Sequence, residues 1–223
     1  MKFIFQAYLL LIMVGCNAQE ANIWYFGEYA GLDFNSGNPV PLLDGQLNTQ
    51  EGCATISNAT GQLLFYTDGT TVYNQLHQTM PNGSGLSGHS SSAQSATVVQ
   101  KPGSPTLYYI FTTDRESFPN GLRYSIVDIS LAGGLGDVAE KNVPVFAPSL
   151  ENIGVTKHAN NIDYWIVGHA WESNSFYSYK LTPVGLTENP VISNIGPIIA
   201  GNGFNAAGML KIAPSGTKLA FTS

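Results

Sequence analysis

The sequence predicts an all-β protein, a β-propeller of four-stranded blades present here as about four blades of an unfinished ring. Three observations lead there. The chain is dense in turn formers and aromatics, with 24 Gly, 12 Pro, 11 Tyr and 11 Phe, while charged residues make up only 11%; surface helices need far more Glu, Lys and Arg. A strand-turn-strand unit recurs along the chain. Its second strand ends at Asp68, Asp114 and His169, spacings of 46 and 55 residues, close to the length of one blade.

Residues 1–18 read as an export leader and stand apart from the fold. Lys2 supplies a short positive start, an apolar run of 13 residues follows through Gly15, and Cys16-Asn17-Ala18 offers small side chains for cleavage. A membrane-spanning helix needs about 20 apolar residues, so this run is too short. Cleavage after Ala18 is the favoured reading. The alternative is lipidation of Cys16, because Met13-Val14-Gly15-Cys16 is a loose bacterial lipobox. Cleavage after Ala18 leaves Cys53 as the single cysteine, in a strand-like Cys-Ala-Thr-Ile run that suits a small buried side chain.

The partial propeller is expected over residues 19–223. In the first hairpin, residues 55–57 lead through Asn58-Ala59-Thr60-Gly61 into residues 62–68. In the second, residues 96–100 lead through a Pro-Gly turn into 107–114. In the third, residues 155–157 lead through His158-Ala159-Asn160-Asn161 into 164–169. In the fourth, residues 209–212 lead through Ala213-Pro214-Ser215-Gly216 into 218–222. β-Branched and aromatic runs on either side of Gly, Pro or Asn turns are hairpin signals. Residues 122–128 and 175–181 alternate apolar and polar side chains, as half-buried outer strands do. Residues 81–95 read as a long polar loop, and Gly133-Gly134-Leu135-Gly136 as a hairpin turn without the Lys and helix of a phosphate loop. Four hairpins are too few to close a ring, so the chain reads as the N-terminal part of a longer protein with further domains downstream.

In order along the chain, residues 22–35 (NIWYFGEYAGLDFN), 51–57 (EGCATIS), 64–69 (LFYTDG), 80–83 (MPNG), 94–96 (QSA), 120–125 (NGLRYS) and 155–160 (VTKHAN) resemble the opening of large secreted and surface proteins of Bacteroidetes. The resemblance implies a leader, a WD40-like propeller and later PKD or other Ig-like modules. It also implies a C-terminal sorting domain of the gliding-motility-associated group, read by the type IX secretion system, and a role in adhesion or display. It carries over no catalytic residue. The loose lipobox at Cys16 departs from the usual soluble leader.

A net charge of −6 with nine Lys and Arg argues against nucleic acid, whose phosphates demand a basic surface. No second sustained apolar run predicts a transmembrane segment in the mature chain, and no motif asks for a cofactor or metal. Candidate ligand-binding residues are Asp68 and Asp114, strand-end carboxylates that can hold calcium or a sugar hydroxyl, although capping of the following turn is the favoured reading. His158 and His169 flank one hairpin and are expected to be able to approach across it. Trp24-Tyr25-Phe26 and Trp171 can stack on a sugar face, although core is the favoured reading. Trp171, beside Glu172-Ser173-Asn174, is the best candidate for an exposed platform, while Tyr164, Trp165 and Phe111 read as core. The expected function is non-catalytic binding of a glycan or protein ligand at the cell surface. An extracellular polysaccharide hydrolase or lyase and a ligand-free spacer are the alternatives.

Overall fold

The computed structural model describes residues 19–223; the leader, its cleavage after Ala18 and the lipidation reading of Cys16 lie outside them. The described chain is all-β, with five antiparallel sheets formed in sequence order. The first holds β1 (Ile23–Phe26), β2 (Ala30–Asp33) and β3 (Val40–Leu42). The second runs β4 (Ala54–Ser57), β5 (Leu63–Thr67), β6 (Thr71–Asn74), β7 (Thr79–Ser84), each paired to the next. The third repeats this order with β8 (Ala96–Gln100), β9 (Leu107–Thr113), β10 (Leu122–Asp128) and β11 (Asp137–Phe146). The fourth contains β12 (Ser149–Lys157), β13 (Tyr164–Ala170) and β14 (Ser173–Thr182), whose far edge is shared by β15 (Gly185–Leu186) and β16 (Val191–Ile199). The fifth is the hairpin of β17 (Leu210–Ile212) and β18 (Leu219–Phe221).

The four hairpins read from sequence form where expected, and their turns show why. In three of them a residue closes an i to i+3 backbone bond, Gly61 to Asn58, Asn161 to His158 and Gly216 to Ala213, and takes positive φ. Gly and Asn tolerate that conformation best. The Asn58 side chain tightens its turn further by accepting the amides of Thr60 and Gln62.

Neighbouring sheets pack face to face. Phe65, Val72 and Met80 of the second sheet meet Tyr108, Ile110, Val127 and Val138 of the third. The opposite face of the third, with Tyr109, Phe111 and Leu122, meets Ile153, Ile166, Tyr179 and Leu181 of the fourth. Strand β9 therefore buries both faces, which is why its sequence is a continuous Leu-Tyr-Tyr-Ile-Phe run instead of an alternation. Tyr25 and Leu47 meet Leu63 and Tyr66 between the first two sheets, and Val167 and Phe176 meet Leu210 between the last two.

Three local expectations are corrected. Strands β10 and β14, read as outer strands, are third strands paired on both edges; their alternation reflects unequal cover on the two faces, not an open edge. The outer strands are β7, β11 and β16, whose Pro, Asn, Gly and charged residues disguise them. Residues 81–84 are the end of β7 and not loop, because an edge strand needs only one side of its backbone paired and tolerates Pro81.

Candidate functional site

One end of the sheets gathers most of the candidate residues. The second strands β5, β9 and β13 all finish there, bringing Asp68, Asp114, His169 and Trp171 to the same end. The segments that enter β4, β8 and β12 arrive at that end too.

Buried polar side chains lock these segments together. The Ser95 hydroxyl donates to the Asp68 carbonyl at 2.6 Å, tying the third sheet's entry to the second sheet's exit. The Thr113 hydroxyl reaches the carbonyls of Gln94 and Glu151 and the Ser92 hydroxyl. Glu151, 1% exposed, accepts the Ala93 amide at 2.8 Å through Oε2 and the Glu116 amide at 2.7 Å through Oε1. Two charge-assisted bonds of this kind offset much of the desolvation of a buried carboxylate. Gln94 donates to the Ile153 carbonyl and accepts the amides of Ile153 and Leu210. Backbone bonds add Gln50 to Ser90 and Gly52 to Ser92. The buried Asn152 amide has no hydrogen-bond partner among the described residues.

Asp68 and Asp114 serve this scaffold. Asp68 Oδ1 accepts the amides of Thr70 and Thr71 and the Thr70 hydroxyl, the turn-capping geometry expected of Asp before Gly. Asp114 accepts the amides of Arg115 and Asn120. Both carboxylates are buried.

Over this scaffold lie Glu51, which is exposed, and His89, which is half-buried. Partial desolvation and the Glu151 charge push the Glu51 carboxyl up, with His89 pulling it back. His89 Nδ1 accepts the Ser91 amide. The sequence reading gave Glu51 no role, and Glu151 and Gln94 were missed as anchors. A signal was available for Gln94: it precedes a Ser-Ala-Thr-Val run, as Glu51-Gly52 precedes Cys-Ala-Thr-Ile, at the entry to equivalent first strands.

His158 and His169 do not approach each other. They sit at opposite ends of β13, about 20 Å apart at the extended rise of a strand, because a hairpin separates its turn from its open end. His158 lies in the turn, accepts the Asn160 amide and packs against Trp165. His169 is 1% exposed, places Nδ1 2.8 Å from the Ala170 carbonyl, and lies between Phe176 edge-on at 4.5 Å and Phe221 stacked at 5.1 Å. Desolvation holds its imidazole below the ordinary histidine range. The neutral ring then donates from Nδ1 and keeps its lone pair on Nε2.

The aromatics also differ from expectation. Trp171 is half-buried against Leu150, Ile199 and Ala206, because the β13–β14 turn folds it back under the Gly203–Ala206 3-10 turn. Trp24 is instead 49% exposed, resting on Phe34 with its indole N–H on the Ala21 carbonyl. Cys53 is partly buried, and burial pushes its thiol up.

A cleft of about 640 Å³ lies between the fourth and fifth sheets, walled by Trp165, His169, Phe176, Ile195, Phe221 and Lys218. No group of three or more His, Cys, Asp or Glu is placed to hold a metal ion among the described residues, and none of their helices is long and apolar enough to cross a membrane. No protein-family model, curated protein or solved structure matches the chain.

Proposed function

We propose that the chain is the N-terminal part of an exported β-propeller, a non-catalytic module that binds a glycan or protein at the cell surface through one pole of its sheets. Several features support the propeller arrangement. The second and third sheets are meanders in chain order, each face packs on the following sheet, and the first strands of neighbouring sheets lie side by side, β1 by β4, β4 by β8 and β12 by β17. Sheets set radially about an axis meet in this way.

The observation that carries the binding reading is the interlocked pole. Loops from three sheets are held there by Ser95, Gln94, Thr113 and Glu151, a rigid base under Glu51 and His89. Binding surfaces are commonly loops on a rigid scaffold. The proposed address, secreted or at the outer surface, rests on the leader-like residues 1–18 and the ordered resemblance to Bacteroidetes surface proteins.

The test is retention on immobilised protein of a panel of polysaccharides and surface-protein fractions, with assay for reducing ends and unsaturated sugars. Retention without turnover supports the proposal. Released products favour a hydrolase or lyase, and no retention favours a spacer.

A further inference from the structure

The cleft between the fourth and fifth sheets has the geometry of an uncovered sheet-packing face, and the edge beside it is ready for a strand. Ala213 donates to Lys218 and Thr222 to Met209, so within the β17–β18 ladder the alternate residues Leu219 and Phe221 turn their N–H and C=O groups away from β17. Among the described strands, β18 pairs only with β17. The side chains of the same two residues line the cleft. A strand laid antiparallel to β18 would meet open backbone groups and sit directly over the cleft.

The earlier sheets show what such a strand would cover. At the second-to-third interface the outer strands are clamped: Val138 lies in one cluster with Met80, Lys141 Nζ donates to the Ser84 carbonyl at 2.9 Å, and Asn142 Nδ2 donates to the Gly85 carbonyl. At the third-to-fourth interface Tyr177 and Tyr179 pack on Phe146 of β11. At the fourth-to-fifth interface only the inner half is covered, where Leu210 packs on Val167 and Phe176. The outer half is continuous with that interface and bare: Val191 is 57% exposed and Ile195 67%.

We infer that a third strand, supplied by the same polypeptide, pairs with the free edge of β18 through Leu219 and Phe221 and, with a fourth, covers the face of β14 and β16. Its side chains toward the cleft are apolar and alternate with polar ones, as β10 does against β9. The cleft is thus an internal packing face and not a small-molecule site. The inference rests on the propeller reading and names one of its interfaces.

The experiment places single cysteines, in a Cys53→Ala background, at Ile195 and Val191 in the cleft and at Phe26 of β1, which is 38% exposed on the same side of the first sheet as Trp24. Maleimide labelling is compared between the polypeptide made from its natural gene and a copy stopped at Ser223. The expected result is labelling at I195C and V191C slowed by about tenfold or more in the natural polypeptide, as stable burial requires. Equal labelling of both cleft positions, including the case in which the two polypeptides are identical, overturns the inference. F26C separates the two ideas. If it is protected while the cleft stays reactive, the ring closes elsewhere, so the propeller reading stands and the inference falls. If all three stay reactive, both fall.

Discussion

The side-chain carbonyl of Gln94 accepts the backbone amide of Leu210 at 2.7 Å, across 116 residues of sequence. The same oxygen takes the Ile153 amide at 3.2 Å, and the amide nitrogen of the side chain gives its proton to the Ile153 carbonyl. One buried side chain therefore joins the entry of β8, the first strand of the fourth sheet and the first strand of the fifth. These bonds point away from the ladders, so they hold sheets to one another where ladder bonds cannot.

Gln94→Ala should destabilise the chain by roughly 2–4 kcal/mol, because it strands two buried amides and a carbonyl. Urea unfolding should show a lower midpoint at an unchanged slope. A loss under about 1 kcal/mol would mean that water replaces the side chain there.

The hairpins were legible because their signals are local: a β-rich run, a turn residue able to take positive φ, a second run. The outer strands were not. Strand β7 carries Pro81, Asn82 and Gly83, and β11 carries Asp137, Glu140 and Lys141; an edge strand is stabilised by its neighbour's ladder, not by its own apolar content. The pole was half legible. Asp68 before Gly69 announces a cap, and the Asp68 and Asp114 repeat marks equivalent strand ends. Gln94 and Glu151 look like ordinary surface polar residues until distant backbone amides are brought to them. The two histidines misled because eleven positions of separation cannot say which end of a hairpin each residue occupies.

Gly154→Ala should loosen the contact between β12 and β17. A Cβ at Gly154 would collide with the Leu210 side chain, which is itself 1% exposed. Overpacking of this kind costs about 1–3 kcal/mol. In G154A/L210A the clash is relieved, so the double variant should be more stable than the sum of the two single losses, with a coupling of about 0.5 kcal/mol or more. Simple additivity in a double-mutant cycle would place the two residues out of contact.

Tyr25 and Tyr66 should contribute most to alkaline stability, ahead of Tyr73, Tyr108, Tyr109, Tyr124 and Tyr179, whose phenols burial also pushes up. Their rings stack at 4.5 Å; Tyr25 donates to Asp44 at 2.7 Å, while Tyr66 lies 3.1 Å from His77 Nδ1 and accepts the Gln46 amide. Burial, chiefly, pushes the Tyr66 phenol from 10.0 up to about 12, and burial together with the Asp44 bond raises Tyr25 further. The fold therefore favours the neutral phenols. That contribution is complete below pH 10 and is lost as pH climbs through the raised values. Thermal melts should show the midpoint falling between pH 10 and 12, with tyrosinate absorbance for these two rings appearing only with unfolding. A wild-type midpoint flat across that window would overturn the assignment. In Y25F/Y66F the midpoint should start lower and the decline should be shallower.

Retention at the pole should depend on Glu51 and His89 more than on the deeper carboxylates. Glu51→Ala and His89→Ala remove side chains from above the scaffold. Neither side chain carries sheet-to-sheet bonds, so the unfolding free energy should change by no more than about 0.5 kcal/mol. Binding of a retained glycan or protein should weaken by about tenfold, the size of one lost polar contact to a ligand. Asp68→Asn should behave in the opposite way. It can keep its Oδ1 acceptor for Thr70 and Thr71 but loses the charge assistance, lowering stability by about 1 kcal/mol with binding per folded molecule unchanged. A loss of binding in D68N that exceeds those in E51A and H89A would move the contact surface from the outer loops to the strand ends.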